Sequence, residues 1–166
     1  MQNQPPTINI FEKAVRKAGK SIVRDFGETE NLQIQSKNIS DFVTKADLKA
    51  EKELLEILIH YYPHYSYYME EKGIIKGKDE EIIVIDPIDG TTNFIHGIPI
   101  FGIAVAKITN NEITDGVIFN PTTNEFFWTS KGSGAWCNNT RLRVSKRQHF
   151  SECVIGTGIP HLGSTY

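Results

Sequence analysis

VIDPIDGTTNFIHGIP, residues 84–99, places two aspartates, Asp86 and Asp89, around Pro87 and Ile88, with Gly90, Thr91, Thr92 and Asn93 directly behind them. The apolar run Ile82-Ile83-Val84-Ile85 leads straight into the acids. By itself Asp-Pro-x-Asp-Gly is a good turn, since proline presets φ and glycine accepts φ > 0. The setting asks for more than a turn. Carboxylates gathered at the rigid end of a buried strand are costly unless a cation joins them. Mg²⁺ takes carboxylates, backbone carbonyls and waters. Asp86 and Asp89 offer the first kind of ligand, and the Ile88 carbonyl between them offers the second. Gly90-Thr91-Thr92-Asn93 then opens a short helix, whose free N–H groups suit a phosphate. Metal ligands beside an anion seat suit attack of water on a phosphoryl group.

Working outward, the apolar residues Ile8, Phe11, Val15, Ala18, Ile22 and Phe26 fall at helical spacing over residues 8–26. The stretch GETENLQIQSKNIS, 27–40, reads as a polar connection. Residues 45–62 read as a second helix, stopped by Pro63. The pattern then changes to strands: EEIIVIDP, FGIAVAKI, ITDGVIFN, NEFFWTSKG and GAWCNNTRLRV, with CVIGTGIP as one more. TNNE, PTT and KGSG between them are hairpin-type turns. Two helices followed by a meander of about five or six strands is an α+β order, with the helices covering an antiparallel sheet.

The chain has 166 residues and a formal charge of −2, which suits one domain with a proper core and calls for no polyanionic partner. No window is apolar enough to span a membrane, and the start, MQNQPPTINIFEK, does not read as a signal peptide. Cys137 and Cys153 lack metal-ligand spacing and read as reduced thiols of a cytoplasmic protein.

Two further segments carry acids. YMEEKG offers Glu70 and Glu71, and DFVTKAD offers Asp47 with Thr44 three residues earlier. Taken singly, the glutamates read as a solvated loop and Asp47 as a helix-start charge favoured by the dipole. His96 beside an apolar turn reads as structural. RLRVSKR, 141–147, reads as the solvated face of an edge strand rather than an RNA contact. HYYPHYSYY reads as helix end and core entry.

DPIDGTTNFIHGIP resembles the first signature of the inositol monophosphatase family, the Mg²⁺-dependent, lithium-sensitive phosphatases. DFVTKAD, the Glu70-Glu71 pair, GVIFNPTTNEFFW, KGSGAWCN and VIGTGIP are similar to the family's segments in the same order, and Thr92-Asn93 fits its bacterial extragenic-suppressor branch. The resemblance implies the N-terminal half of a layered sandwich and hydrolysis of an inositol phosphate by metal-activated water. It implies two or three Mg²⁺ ions held by Glu70, Asp86, the Ile88 carbonyl and Asp89. Glu70 would also orient the attacking water and Thr91 would hydrogen-bond it, with Asp47 in support. Glu70, Ile88, Asp89, Gly90 and Thr91 would line the substrate, a small phosphomonoester such as inositol 1-phosphate.

Three departures stand out. Met69 replaces a small residue, Lys72 stands where the family often has serine, and the chain stops at Tyr166, before the α/β half that carries a Trp-Asp signature. The expectation is therefore a single truncated N-terminal domain over 1–166, impaired or inactive alone and poorly stable or oligomeric. A homodimer or a separately encoded C-terminal half would be its partner. The alternative is a non-catalytic remnant, or a protein- or RNA-interaction module of the same fold.

Overall fold

The protein's structure is a computed structural model describing residues 4–35 and 39–156. Helix α1 spans Pro6–Gln35 and α2 spans Ile39–Tyr61. Eight strands follow: β1 Ser66–Met69, β2 Gly73–Ile75, β3 Ile82–Asp89, β4 Gly102–Thr109, β5 Glu112–Asn120, β6 Glu125–Ser130, β7 Gly134–Cys137 and β8 Thr140–Arg141. A short helix α3, Thr91–Ile95, lies between β3 and β4. The strands form one sheet in the order β2-β1-β3-β4-β5-β6-β7-β8. All neighbours are antiparallel except β1 and β3, which run parallel.

The α+β reading holds, and several boundaries change. The connection expected from residue 27 is helical to Gln35, because Glu28, Glu30, Leu32, Gln33 and Gln35 are helix formers and Gly27 alone does not stop the helix. Residues 36–38 lie outside the described residues. Helix α2 begins at Ile39, not at 45. The segment 134–144, expected as one strand, is two, broken at Asn138 with φ 51°. The same device, Asn110 and Asn111 both at positive φ, makes the two-residue turn between β4 and β5. Residues 153–156 form no strand, and the rest of CVIGTGIP lies outside the described residues.

One face of the sheet packs under the helices, α1 on β4, β5 and β6 and α2 on β3. Tyr67, Met69, Ile83, Ile85, Ile103, Val105, Val117, Phe119, Phe126 and Trp128 point inward and meet Phe11, Val15, Ile22, Leu54 and Leu58. Met69 is thus a core residue. Phe26, Phe94 and Phe101 cluster with ring centres 5.1–5.5 Å apart, which clamps α3 and the start of β4 to α1.

Among the described residues, no helix packs on the other face. Ala104, Ala106, Gly116, Ile118, Phe127, Ala135 and Leu142 line an apolar trough of about 350 Å³ there, with Ile118 51% exposed. Asp86 lies on this same side of β3, in register with Ala104.

Candidate active site

β1 and β3 create the site. Their parallel register pairs Met69 with Ile85, so the next residues, Glu70 and Asp86, emerge side by side at the strand ends. After burial, the charge of Glu70 is the largest influence on the Asp86 carboxyl. Glu70, Glu71 and Lys72 form a three-residue turn into β2, closed by Gly73 at φ 75°. β3 then bulges between Asp86 and Asp89, so both acids are presented at its end although Pro87 and Ile88 separate them. Gly90 sits at φ 93° with the Ile100 carbonyl 3.2 Å from where a Cβ would stand, so both backbone conformation and space favour glycine. The chain turns there into α3, whose first N–H groups have no acceptor within the helix.

Thr91 Oγ1 donates to the Ile88 carbonyl at 3.0 Å. Asn93 donates to the Ile100 carbonyl at 2.6 Å, and Asn120 and Thr122 both donate to the Pro99 carbonyl. The loop behind α3 is thus fastened from two directions.

Asp47 is not at a helix start. It lies two turns inside α2 and is only 6% exposed, so the dipole reading fails. Burial, with the charges of Glu71, Glu70, Asp86 and Glu51, pushes its carboxyl up to about 7. Burial, then the charge and hydrogen bond of Glu70 and the charge of Asp89, pushes Asp86 up to about 7. Burial and the charges of Glu70 and Glu51 raise Glu71 as well. Among the described residues, the buried Asp86 Oδ1 has no hydrogen-bond partner.

The residue set therefore fits a hard cation: oxygen donors only, mutually repelling, one of them buried and unsatisfied. Among the described residues no three His, Cys, Asp or Glu side chains stand ready to enclose an ion as they are. A cation would fill its shell with backbone carbonyl and water, as Mg²⁺ does. The Ile88 carbonyl has a second lone pair beyond the one taken by Thr91.

Sequence reasoning missed one acid. Glu51 is fully buried and accepts the Glu71 N–H at 2.9 Å. Its i+4 spacing from Asp47 was the available signal, since that spacing shares a helix face. Lys72 does not simply point to solvent; its Nζ lies 3.9 Å from Glu51 Oε1. His96 is exposed at the end of α3. Thr44's side chain lies outside the described residues. Arg141, Arg143, Lys146 and Arg147 are exposed, with only Arg141 in a strand.

Helices over one side of a mixed sheet, with acids converging at the ends of two parallel strands, define a recognisable class. The family model described as "Inositol monophosphatase family" matches residues 3–162. An inositol-1-monophosphatase of Rhizobium meliloti is 49% identical over 157 residues, covering 94% of this chain and 59% of the relative. The Nus factor SuhB of Haemophilus influenzae is 36% identical, covering 93% and 58%. The crystal structure of the extragenic suppressor protein suhB from Bartonella henselae superimposes with a TM-score of 0.85 at 42% identity, covering 96% of this chain and 62% of that one. The chain belongs to the inositol monophosphatase family. It spans about three-fifths of the length of these relatives. Among the described residues no helix is long and apolar enough to cross a membrane.

Proposed function

We propose that this chain carries the cation- and phosphate-binding part of a Mg²⁺-dependent, lithium-sensitive phosphomonoesterase acting in the cytoplasm on an inositol phosphate or a similar small phosphomonoester. The observation that carries the reading is the buried Asp86 Oδ1 beside Glu70, unpartnered among the described residues, with the Asp47 and Asp86 carboxyls both pushed up to about 7. Glu70, Asp86, the Ile88 carbonyl and Asp89 would hold Mg²⁺. When bound, Mg²⁺ supplies charge neutralisation, polarises the phosphoryl group and makes water acidic enough to attack.

The chain's own groups do the rest. Gly90 and Thr91 offer backbone N–H groups to the phosphate at the start of α3. Thr91 gives its hydroxyl hydrogen to Ile88, so its oxygen faces the site as an acceptor for the attacking water. Glu70, on the exposed turn, orients that water. Asp47 adds negative charge from behind, which strengthens cation binding.

The relatives are longer, and full activity is proposed to need groups from outside these 166 residues. The apolar trough, uncovered among the described residues, is a surface that such groups, or a second copy, would cover. The test is phosphate release from inositol 1-phosphate in millimolar Mg²⁺ by the chain alone and with a separately expressed C-terminal half of a relative, with Asp86→Asn as the blank. Turnover only with the added half, lost in Asp86→Asn, is the expected result. Mg²⁺ binding that ignores both Asp86 and Glu70 would overturn the reading.

A second reading, a protein- or RNA-interaction module, is favoured by the exposed basic stretch 141–147 and by relatives called Nus factor SuhB. RNA binding abolished by neutralising Arg141, Arg143, Lys146 and Arg147 would support it.

A further inference from the structure

Glu51 has no assigned part in the chemistry, yet it is wholly buried and touches the site twice. Its Oε2 accepts the backbone N–H of Glu71 at 2.9 Å, joining α2 to a turn 20 residues away in sequence. Its Oε1 makes no hydrogen bond, and the ammonium of Lys72 stands 3.9 Å from it. Both contacts land on the Glu70–Lys72 turn between β1 and β2. That turn is short and leads into β2, a three-residue edge strand paired only with β1 and with Ile74 and Ile75 exposed. The direction of Glu70 therefore depends on where its neighbour's peptide is fastened. A buried carboxylate is costly without partners, and a half-exposed lysine just beyond hydrogen-bonding distance offsets only part of that cost.

We propose that Glu51 is a positioning residue: by hooking the Glu71 N–H it aims Glu70 at Asp86, while Lys72 serves as a resident counter-charge for the acid cluster until a divalent cation binds. The aiming of Glu70 matters only if Glu70 is a cation ligand, so that consequence rests on the proposed function. The hook itself does not.

Four variants of the whole chain separate the possibilities. Glu51→Gln keeps an oxygen for the Glu71 N–H; Glu51→Ala removes it; Glu51→Leu removes it while filling the volume, which keeps the test alive if the alanine variant does not fold. Lys72→Met keeps the apolar stem and removes the charge. Two quantities are read: hydrogen exchange of the Glu71 amide in chelator, and Mg²⁺ affinity by calorimetry.

Loss of one hydrogen bond to a charged group should speed Glu71 exchange about tenfold or more in Glu51→Ala or Glu51→Leu. Mg²⁺ affinity should fall about tenfold in the same variants, and Glu51→Gln should stay within about threefold of the unaltered chain on both readouts. Lys72→Met should bind Mg²⁺ about three- to tenfold more tightly, because a like charge has left the neighbourhood.

Unchanged Glu71 exchange in Glu51→Leu would overturn the hook. Faster exchange with unchanged Mg²⁺ affinity would make Glu51 a structural stitch and overturn the positioning role. Equal or weaker Mg²⁺ binding in Lys72→Met would overturn the counter-charge. If the unaltered chain binds no Mg²⁺, the proposed function fails, and the exchange result still decides the hook.

Discussion

Two aspartates in this sheet, buried Asp115 and half-buried Asp86, have opposite electrostatics. Asp115, on β5, receives Lys107 Nζ at 2.9 Å, Ser130 Oγ at 2.8 Å and Thr114 Oγ1 at 3.0 Å. Burial alone would raise its carboxyl, but these donors outweigh burial and hold it below the ordinary carboxylate range. Asp86, on β3, has the Ile88 backbone to relieve it, but burial and the acids Glu70 and Asp89 outweigh that and drive its carboxyl the other way. Both sit on strands of the same sheet, so strand geometry does not explain the difference. The neighbours do. Donors arriving from adjacent strands complete Asp115 as a structural group, whereas Asp86 is left incomplete where Glu70 and Asp47 converge. An ionisable group held far from its ordinary range by burial and neighbouring like charges marks a place where a ligand is expected.

The contrast can be broken at several points. The largest effect should come from Asp115→Ala. Removing one partner of a buried pair leaves Lys107 uncompensated and should cost about 3–5 kcal/mol in urea unfolding. A loss under about 1 kcal/mol would show that Asp115 is no better satisfied than Asp86.

Asp86→Asn should act with opposite sign on two readouts. Mg²⁺ binding should weaken by about a hundredfold, close to 3 kcal/mol, while the melting temperature in chelator should rise because repulsion with Glu70 is gone. A lower melting temperature in chelator would mean that Asp86, like Asp115, is already satisfied.

The pH dependence sharpens the same point. Folded Asp47 and Asp86 hold protons up to about 7, whereas in the unfolded chain they release them near 3.8. The folded state binds more protons between those values, so stability in chelator should fall as pH rises from about 4 to 7. Saturating Mg²⁺ should flatten or reverse that slope, since it favours the ionised acids. Asp115 works in the other direction. Its contribution is present above its unfolded pKa and is lost as pH falls through its depressed folded value. Melting curves from pH 3.5 to 8, with chelator and with Mg²⁺, read both effects. Stability that climbs from pH 5 to 7 in chelator would contradict the acid cluster.

The smallest effect should come from the exposed Lys131–Glu112 pair at the β5–β6 edge. Both side chains are well solvated, so Lys131→Ala should change stability by no more than about 0.5 kcal/mol. A larger loss would make burial a poor explanation of why Asp115 matters.

The sequence alone settled whatever depends on near neighbours. Asp-Pro-x-Asp-Gly sets the turn at 86–90 because proline and glycine constrain φ locally. The paired asparagines at 110–111 set a hairpin for the same reason, and the apolar spacing of α1, α2 and β3–β6 set which faces are buried. Asn138-Asn139 likewise carries a local signal for the break between β7 and β8, since asparagine tolerates φ > 0. Tertiary structure decided the rest. The polar stretch 27–35 extends a helix. Tyr67 and Met69 belong to a strand hidden in a tyrosine-rich segment, and that strand runs parallel to β3. The parallel register brings Glu70 beside Asp86, and α2 carries Asp47 and Glu51 to the same place. No local pattern encodes these meetings, because the partners are 16 to 39 residues apart and what selects them is the burial of faces that only the assembled sheet and helices define.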